Sequence, residues 1–153
     1  MVSSVRKVVS GGQTGVDRAA LDVAIYLGLE HGGWCPKGRM AEDGRIPDVY
    51  RLNETESFEY SERTERNVVD SDGTLVMYWS ELSGGTLLTE RLAKKHARPC
   101  LAIDLAESSD SSAASNWLIE NKIQVLNVAG PRASTSPQAV PAAEHFLLRL
   151  LDA

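Results

Sequence analysis

The order of apolar runs and helical stripes along this 153-residue chain predicts an α/β fold, a mostly parallel sheet with helices on both faces. Three observations carry the prediction. Short apolar runs alternate with stretches of helical periodicity. The strongest run, Thr74-Leu75-Val76-Met77-Tyr78-Trp79, is nearly continuous in apolar residues, which suits a central strand covered on both sides. Finally, three runs end in glycine-bearing turns, after Val9, after Trp79 and after Val128. In open parallel sheets ligands bind beyond the carboxyl ends of the strands, near a switch in strand order, so the three turns are expected on one rim.

The elements follow in order. Val5-Arg6-Lys7-Val8-Val9 is the first strand and feeds Ser10-Gly11-Gly12-Gln13-Thr14-Gly15-Val16-Asp17-Arg18. Val16, Ala19, Ala20, Val23, Ala24 and Leu27 recur at helical spacing, and Gly28 stops that helix because glycine tolerates the left-handed cap. A second strand is expected around His31–Cys35. Residues 36–50 read as a polar loop, long enough to be a candidate lid, with Tyr50–Asn53 as a brief extended piece. Ser61–Ser71 reads as a helix. Ser83-Gly84-Gly85-Thr86 follows the strongest strand and opens another helix through His96. Pro99–Ile103 is the next strand, Glu107–Ser112 a serine- and acid-rich loop, and a short helix lies near Trp117. Ile123–Val128 is the last strand, ended by Ala129-Gly130-Pro131-Arg132. The final helix starts at about Pro137, with Ala143, Phe146, Leu147, Leu150 and Leu151 on one face.

Composition bounds the function. The length suits a single domain spanning 1–153, and 42% apolar with 24% charged residues is ordinary for a globular chain. A net charge of −5 argues against a dedicated nucleic-acid binder. No apolar run approaches a membrane span, and no signal-peptide core is visible, so the expectation is no membrane partner and a cytoplasmic protein. Cys35 and Cys100 match no zinc or redox spacing and are read as reduced.

A glycine-rich turn that launches a helix is what holding an anion requires: the backbone comes close, N–H groups face outward, and the peptide dipoles favour negative charge. The first turn lacks Gly-x-Gly-x-x-Gly and Gly-Lys-Ser/Thr, so neither standard NAD binding nor Walker-type hydrolysis is expected. Gln13 and Thr14 add side-chain donors there. Asp17 either favours the helix start through its charge or accepts from a ligand. Arg132 either binds a phosphate in bidentate fashion or is solvated. Arg63, Asn67 and Asp70 share one helix face, commonly an exposed ion-paired surface. Lys37, Arg39 and Arg45 can close over an anion from the long loop. The candidate ligand-binding residues are thus Gly11, Gly12, Gln13, Thr14, Gly15 and Asp17 in the first turn, and Ser83, Gly84, Gly85 and Thr86 in the second. Asn127, Gly130, Pro131 and Arg132 supply the third turn, with Lys37, Arg63 and Asn67 beside them. No catalytic residue and no metal ligand is assigned, because no nucleophile elbow, His-Glu-x-x-His or Cys-x-x-Cys is present. The pattern reads as a binding module holding a phosphorylated small molecule.

The run Ser10–Asp22, then Gly32–Arg39, Ala41–Gly44, Arg63-Thr64, Asn67-Val68, Asp70-Ser71-Asp72, Ser83–Thr86 and Asn127–Arg132 resembles the molybdenum carrier family over most of the chain. The resemblance implies a Rossmann-like three-layer α/β/α sandwich, in the wider grouping that includes lysine decarboxylase-like nucleoside-monophosphate phosphoribohydrolases. It also implies molybdenum cofactor or a nucleotide as ligand and association into a homo-oligomer through helices. The hydrolytic relatives carry Pro-Gly-Gly-x-Gly-Thr-x-x-Glu. Here Ser83 replaces the proline, the x-Gly pair is missing, and Thr89 takes the glutamate place with Glu90 one step later. That step turns Glu90 by about 100° around the helix. The alternatives are a phosphoribohydrolase-like enzyme, with Glu90 or Asp17 as acid–base and Arg132 on phosphate, and a nucleotide sensor.

Overall fold

A computed structural model describes residues 3–152. The chain runs β1 (Lys7–Val9), α1 (Val16–Leu27), β2 (Glu30–Gly32), β3 (Trp34–Cys35), β4 (Met40–Ala41), β5 (Gly44–Arg45) and β6 (Asn53–Glu54). It continues through α2 (Tyr60–Val69), β7 (Gly73–Tyr78), α3 (Gly84–Lys95), β8 (Cys100–Asp104), α4 (Ser112–Glu120), β9 (Val125–Ala129) and α5 (Ala139–Leu151). The α/β reading therefore holds, with shifts of a residue or two at most ends.

Five strands form one parallel sheet in the order β2-β1-β9-β7-β8. The last strand of the chain is the middle one. Counted from β9, the order becomes 3-2-1-4-5, the doubly wound arrangement of dinucleotide-binding folds. The alternation along the strands sorts the layers. Val8, Leu75, Met77, Leu126 and Val128 pack in one core with Val16, Ala20 and Val23 of α1, Ala114 and Leu118 of α4, and Phe146 and Leu147 of α5. Helices α2 and α3 pack on each other on the opposite side, over the smaller side chains Thr74 and Val76. The chain leaving β9 and the chain leaving β7 thus turn to opposite faces, and a crevice opens between their carboxyl ends.

Local chemistry explains the helix ends. In the apolar stripe of α1, Val16, Ala19, Ala20, Val23 and Ala24 are buried and Leu27 is half-buried, and Gly28 closes the helix in the left-handed region, φ 75°. Gly130 sits where β9 leaves the sheet, and a Cβ there would overlap the Met77 carbonyl and the Val16 side chain. That close approach lets β7, β9 and α1 meet at one point.

Two expectations need correcting. The segment around His31–Cys35 is not one strand: Glu30–Gly32 joins the sheet, while Trp34–Cys35 pairs with Asn53–Glu54 in a separate ladder. Gly33, at φ 123°, makes the break, because a side chain there would strike the Ser10 backbone. Nor are residues 36–50 a bare loop. They hold the β4–β5 hairpin and a small core of Cys35, Ala41 and Ile46, with Tyr50 and Leu52 packed against it. Arg39, expected to face an anion, is 7% exposed, and its guanidinium donates to the carbonyls of Ile46 (3.1 Å), Pro47 (2.8 Å), Tyr50 (2.7 Å) and Leu52 (3.4 Å). The lobe is pinned to α1 by the Arg18–Asp43 pair and by Tyr50 Oη donating to Asp22 (2.6 Å). Burial and the Asp22 carboxylate push the Tyr50 phenol up to about 12.

Replacing Arg39 by Lys keeps the charge but loses the planar fork, leaving buried carbonyls unpaired. Arg39→Lys should cost about 2–3 kcal/mol in chemical denaturation, with amide-exchange protection lost first in residues 40–52. Gly130→Ala should cost a similar ~2–3 kcal/mol through overpacking, whereas Gly85→Ala, with no atom within 4 Å of the added carbon, should stay within about 0.5 kcal/mol of the parent.

Candidate functional site

The crevice between β7 and β9 is a cleft of about 780 Å³, within the size range of small-molecule sites. All three sequence turns reach it. Gln13 and Asp17 come from the first, Ser83, Gly84, Gly85 and Thr86 from the second, and Gly130, Pro131 and Arg132 from the third. Helix α2 supplies Tyr60, Arg63 and Thr64, and the end of β7 adds Tyr78 and Trp79.

The first turn differs from the expected open cradle. Four of its N–H groups are already taken: Gly12 donates to Ser10 Oγ (3.3 Å), Gln13 to Asp17 Oδ2 (3.3 Å), Thr14 to Gln13 Oε1 (3.0 Å), and Val16 to the Pro131 carbonyl (3.2 Å). Its glycines are needed for packing within the chain. A Cβ on Gly11 would overlap the Arg63 guanidinium, one on Gly12 would meet Leu52 and Ile46, and one on Gly15 would strike the backbone of residues 131–133. Thr14 Oγ1 donates to Glu42 and accepts from Ala133 N–H (3.2 Å). Gly11, Gly12, Thr14 and Gly15 therefore build the turn rather than the cleft wall.

The second turn is the open one. Ser83 caps α3 with an extended backbone and no side-chain hydrogen bond, and the first turn of the helix carries no acidic residue. Ser83, Gly84 and Gly85 are exposed, and no atom lies within 4 Å of a Cβ built on either glycine. The first N–H groups of α3 thus face the cleft without partners in the helix, where the dipole favours an anion. Thr86 and Thr89 are buried, and Thr89 Oγ1 donates to the Gly85 carbonyl (2.9 Å).

Charge lies on both walls. Arg63 and Arg132 flank the Tyr60 ring, their guanidinium carbons 5.2 Å and 5.6 Å from its centroid. Arg63 Nη1 is 3.3 Å from Asp17 Oδ2, with both side chains largely buried. Burial pushes the Asp17 carboxyl above the usual range, against the pull of Arg63 and of the Gln13 and Gly130 N–H groups. Among the described residues two buried polar atoms have no hydrogen-bond partner, Gln13 Nε2 and Arg63 Nε.

Several candidates lie elsewhere. Lys37 sits over the Phe58 ring, 5.3 Å from its centroid, and does not line the cleft. Asn67 is buried with both ends of its amide on the Trp34 backbone (2.8 and 2.9 Å), and Asp70 accepts from Trp34 Nε1 (2.8 Å). The Arg63–Asn67–Asp70 stripe is therefore a clamp on the β3 segment and on Asp17, not an ion-paired surface. Asn127 is buried and donates to Thr74 Oγ1 (3.2 Å), bordering only a small void behind the cleft. Glu90 does not line the cleft; it lies near Cys100, whose thiol burial pushes up to about 11 with the Glu90 charge adding to it. Sequence reasoning missed Tyr60, Trp79 and Glu42. Tyr60 belongs to no motif, Trp79 reads only as the end of the strongest apolar run, and Glu42 lies in a hairpin whose docking is tertiary. Among the described residues no group of three or more His, Cys, Asp and Glu converges, and no helix is long and apolar enough to cross a membrane.

The strand order counted from β9 has a direct counterpart in comparison with known proteins. Residues 8–151 match the model of the circularly permutated YpsA SLOG family. The chain belongs to that family. Permutation is what the sheet records: the strand that opens the count stands at the carboxyl-terminal end of this chain. A crystal structure described as a "putative molybdenum carrier protein" from Syntrophus aciditrophicus SB is 47% identical, with a TM-score of 0.94, covering 100% of this chain and 98% of that one. Comparison with curated proteins gives no match.

Glu42 joins the rim. Its carboxylate accepts from the Ser134 amide (3.2 Å), the Ser134 hydroxyl and Thr14 Oγ1, bridging the hairpin to the first and third turns. The Ser134 and Thr14 hydroxyls hold it below the ordinary glutamate value of 4.5. A depressed acid contributes stability above its unfolded value and loses it as pH falls through the folded one. The Ser134 amide resonance should stay fixed above pH 4.5, move as the pH drops below it, and cease to titrate in Glu42→Gln.

Proposed function

We propose that this chain is a molybdenum carrier of the permuted YpsA type, holding a phosphorylated small molecule, in the first place molybdenum cofactor, in the cleft between β7 and β9. The observation that carries the reading is the open amino terminus of α3 at the switch point of the sheet. Free N–H groups, exposed Gly84 and Gly85, and Arg132 across the cleft suit a phosphate. The likeness to the crystal structure named for molybdenum carriage supports the choice of ligand. The cleft is lined by hydrogen-bonding and aromatic groups, so a metal-bearing ligand is held by its phosphate and ring, and its molybdenum keeps the sulfur ligands it arrives with. Thr89 stands where the hydrolytic relatives place glutamate, and its hydroxyl is bonded to the α3 backbone, so that position offers no acid–base group.

Ser83→Asp tests the anion site directly. An aspartate N-cap accepts from the first N–H groups and favours the helix start, so thermal stability should hold or rise. The same carboxylate occupies and repels the anion position. Calorimetric titration should show the affinity for inorganic phosphate and for molybdenum cofactor falling at least about 30-fold, roughly the electrostatic and hydrogen-bonding share of such a site. Unchanged affinity in this variant would place the anion elsewhere, and absence of binding by the parent protein would reject the reading.

A further inference from the structure

Both buried polar atoms without partners, Gln13 Nε2 and Arg63 Nε, belong to residues on the same wall of the cleft. Gln13 is 5% exposed, and its amide cannot turn over. Oε1 accepts from two backbone donors, Thr14 N–H (3.0 Å) and Glu42 N–H (2.9 Å), which a flipped amide would face with its own hydrogens. Nε2 is therefore fixed as a donor with nothing to donate to, and such a group persists where a ligand supplies the acceptor. The amide belongs to the turn after β1, whereas the anion position belongs to the turn after β7, and β9 lies between them. Two strand spacings separate these turns by about 10 Å, more than one phosphate spans. Tyr60 and Trp79 line the same cleft.

We propose that Gln13 is the specificity-determining residue of this cleft, requiring an oxo oxygen on the ring of a phosphorylated planar heterocycle whose phosphate sits on α3. This rests on the anion site described above. The ligand class is then an oxo-purine or pterin-type phosphate, and rings of the same size without the oxo group bind more weakly because their ring-nitrogen acceptors do not extend to the position of an exocyclic oxygen. Glu42 acts as a positioning residue, since its backbone N–H holds the amide in register.

The test uses three probes on the intact chain: inorganic phosphate, inosine 5′-monophosphate, and purine riboside 5′-monophosphate, which lacks the oxo group. The parent protein should bind phosphate and prefer the oxo nucleotide by at least about 100-fold. Gln13→Glu keeps an acceptor for Thr14 and Glu42 while deleting the donor, and Gln13→Met deletes both without adding charge. In either variant the ratio of the two nucleotide affinities should fall to about one. The phosphate is common to both nucleotides, so this ratio is insensitive to a change at the anion site. Phosphate binding with no preference in the parent protein, or a preference retained in both variants, overturns the assignment of Gln13 and leaves the anion site standing. Failure of phosphate to bind overturns the anion site and this inference with it. Should one variant not fold, the ratio in the other decides.

Discussion

Three segments distant in sequence meet at the buried carboxylate of Asp17. It accepts from the Gln13 N–H of its own turn, pairs with Arg63 from α2, and draws the Gly130 N–H at the end of β9. A carboxyl so deep is costly to ionise, and the donors gathered around it offset part of that cost. That requirement fixes the first turn, holds α2 against it through Arg63 and keeps the third turn beside the first. The cleft is what remains open once these contacts are made.

The same economy explains why two helix amino termini on one rim behave differently. At α1 the Val16 and Arg18 N–H groups are answered from within the chain, by the Pro131 and Gln13 carbonyls, and Asp17 answers Gln13 N–H in the turn before them, so that end is structural. At α3 the cap residue makes no side-chain bond and two glycines leave the backbone bare. Equal motifs therefore carry unequal roles. A Gly-Gly pair packed under Arg63 and Leu52 fixes the turn, whereas a Gly-Gly pair facing solvent exposes donors.

The hairpin lobe links site and scaffold. Arg39 organises its interior carbonyls, Arg18 and Asp22 anchor it to α1, and Glu42 reaches the rim from its tip. A polar stretch of this length therefore need not be mobile. Its order comes from one buried guanidinium and a core of a few side chains, not from regular secondary structure.

From residues alone, periodicity and turn chemistry determined the α/β class, a near-continuous apolar strand covered on both faces (Gly73–Tyr78 in the fold, beside the central β9), the Gly28 stop and the three glycine-bearing strand ends. These depend on local spacing, which a linear chain displays. The displacement of Glu90 from the cleft was also legible, because one residue on a helix fixes an angle. Tertiary structure alone decided that β9 enters the middle of the sheet, since parallel strands carry no local mark of their neighbours. It also decided which donors stay free. Gln13 and Thr14 look alike in sequence, yet partners from residues 42 and 133 satisfy Thr14 and leave the Gln13 amide half-satisfied. Hydrogen-bond satisfaction belongs to pairs brought together by folding, and no single position records it.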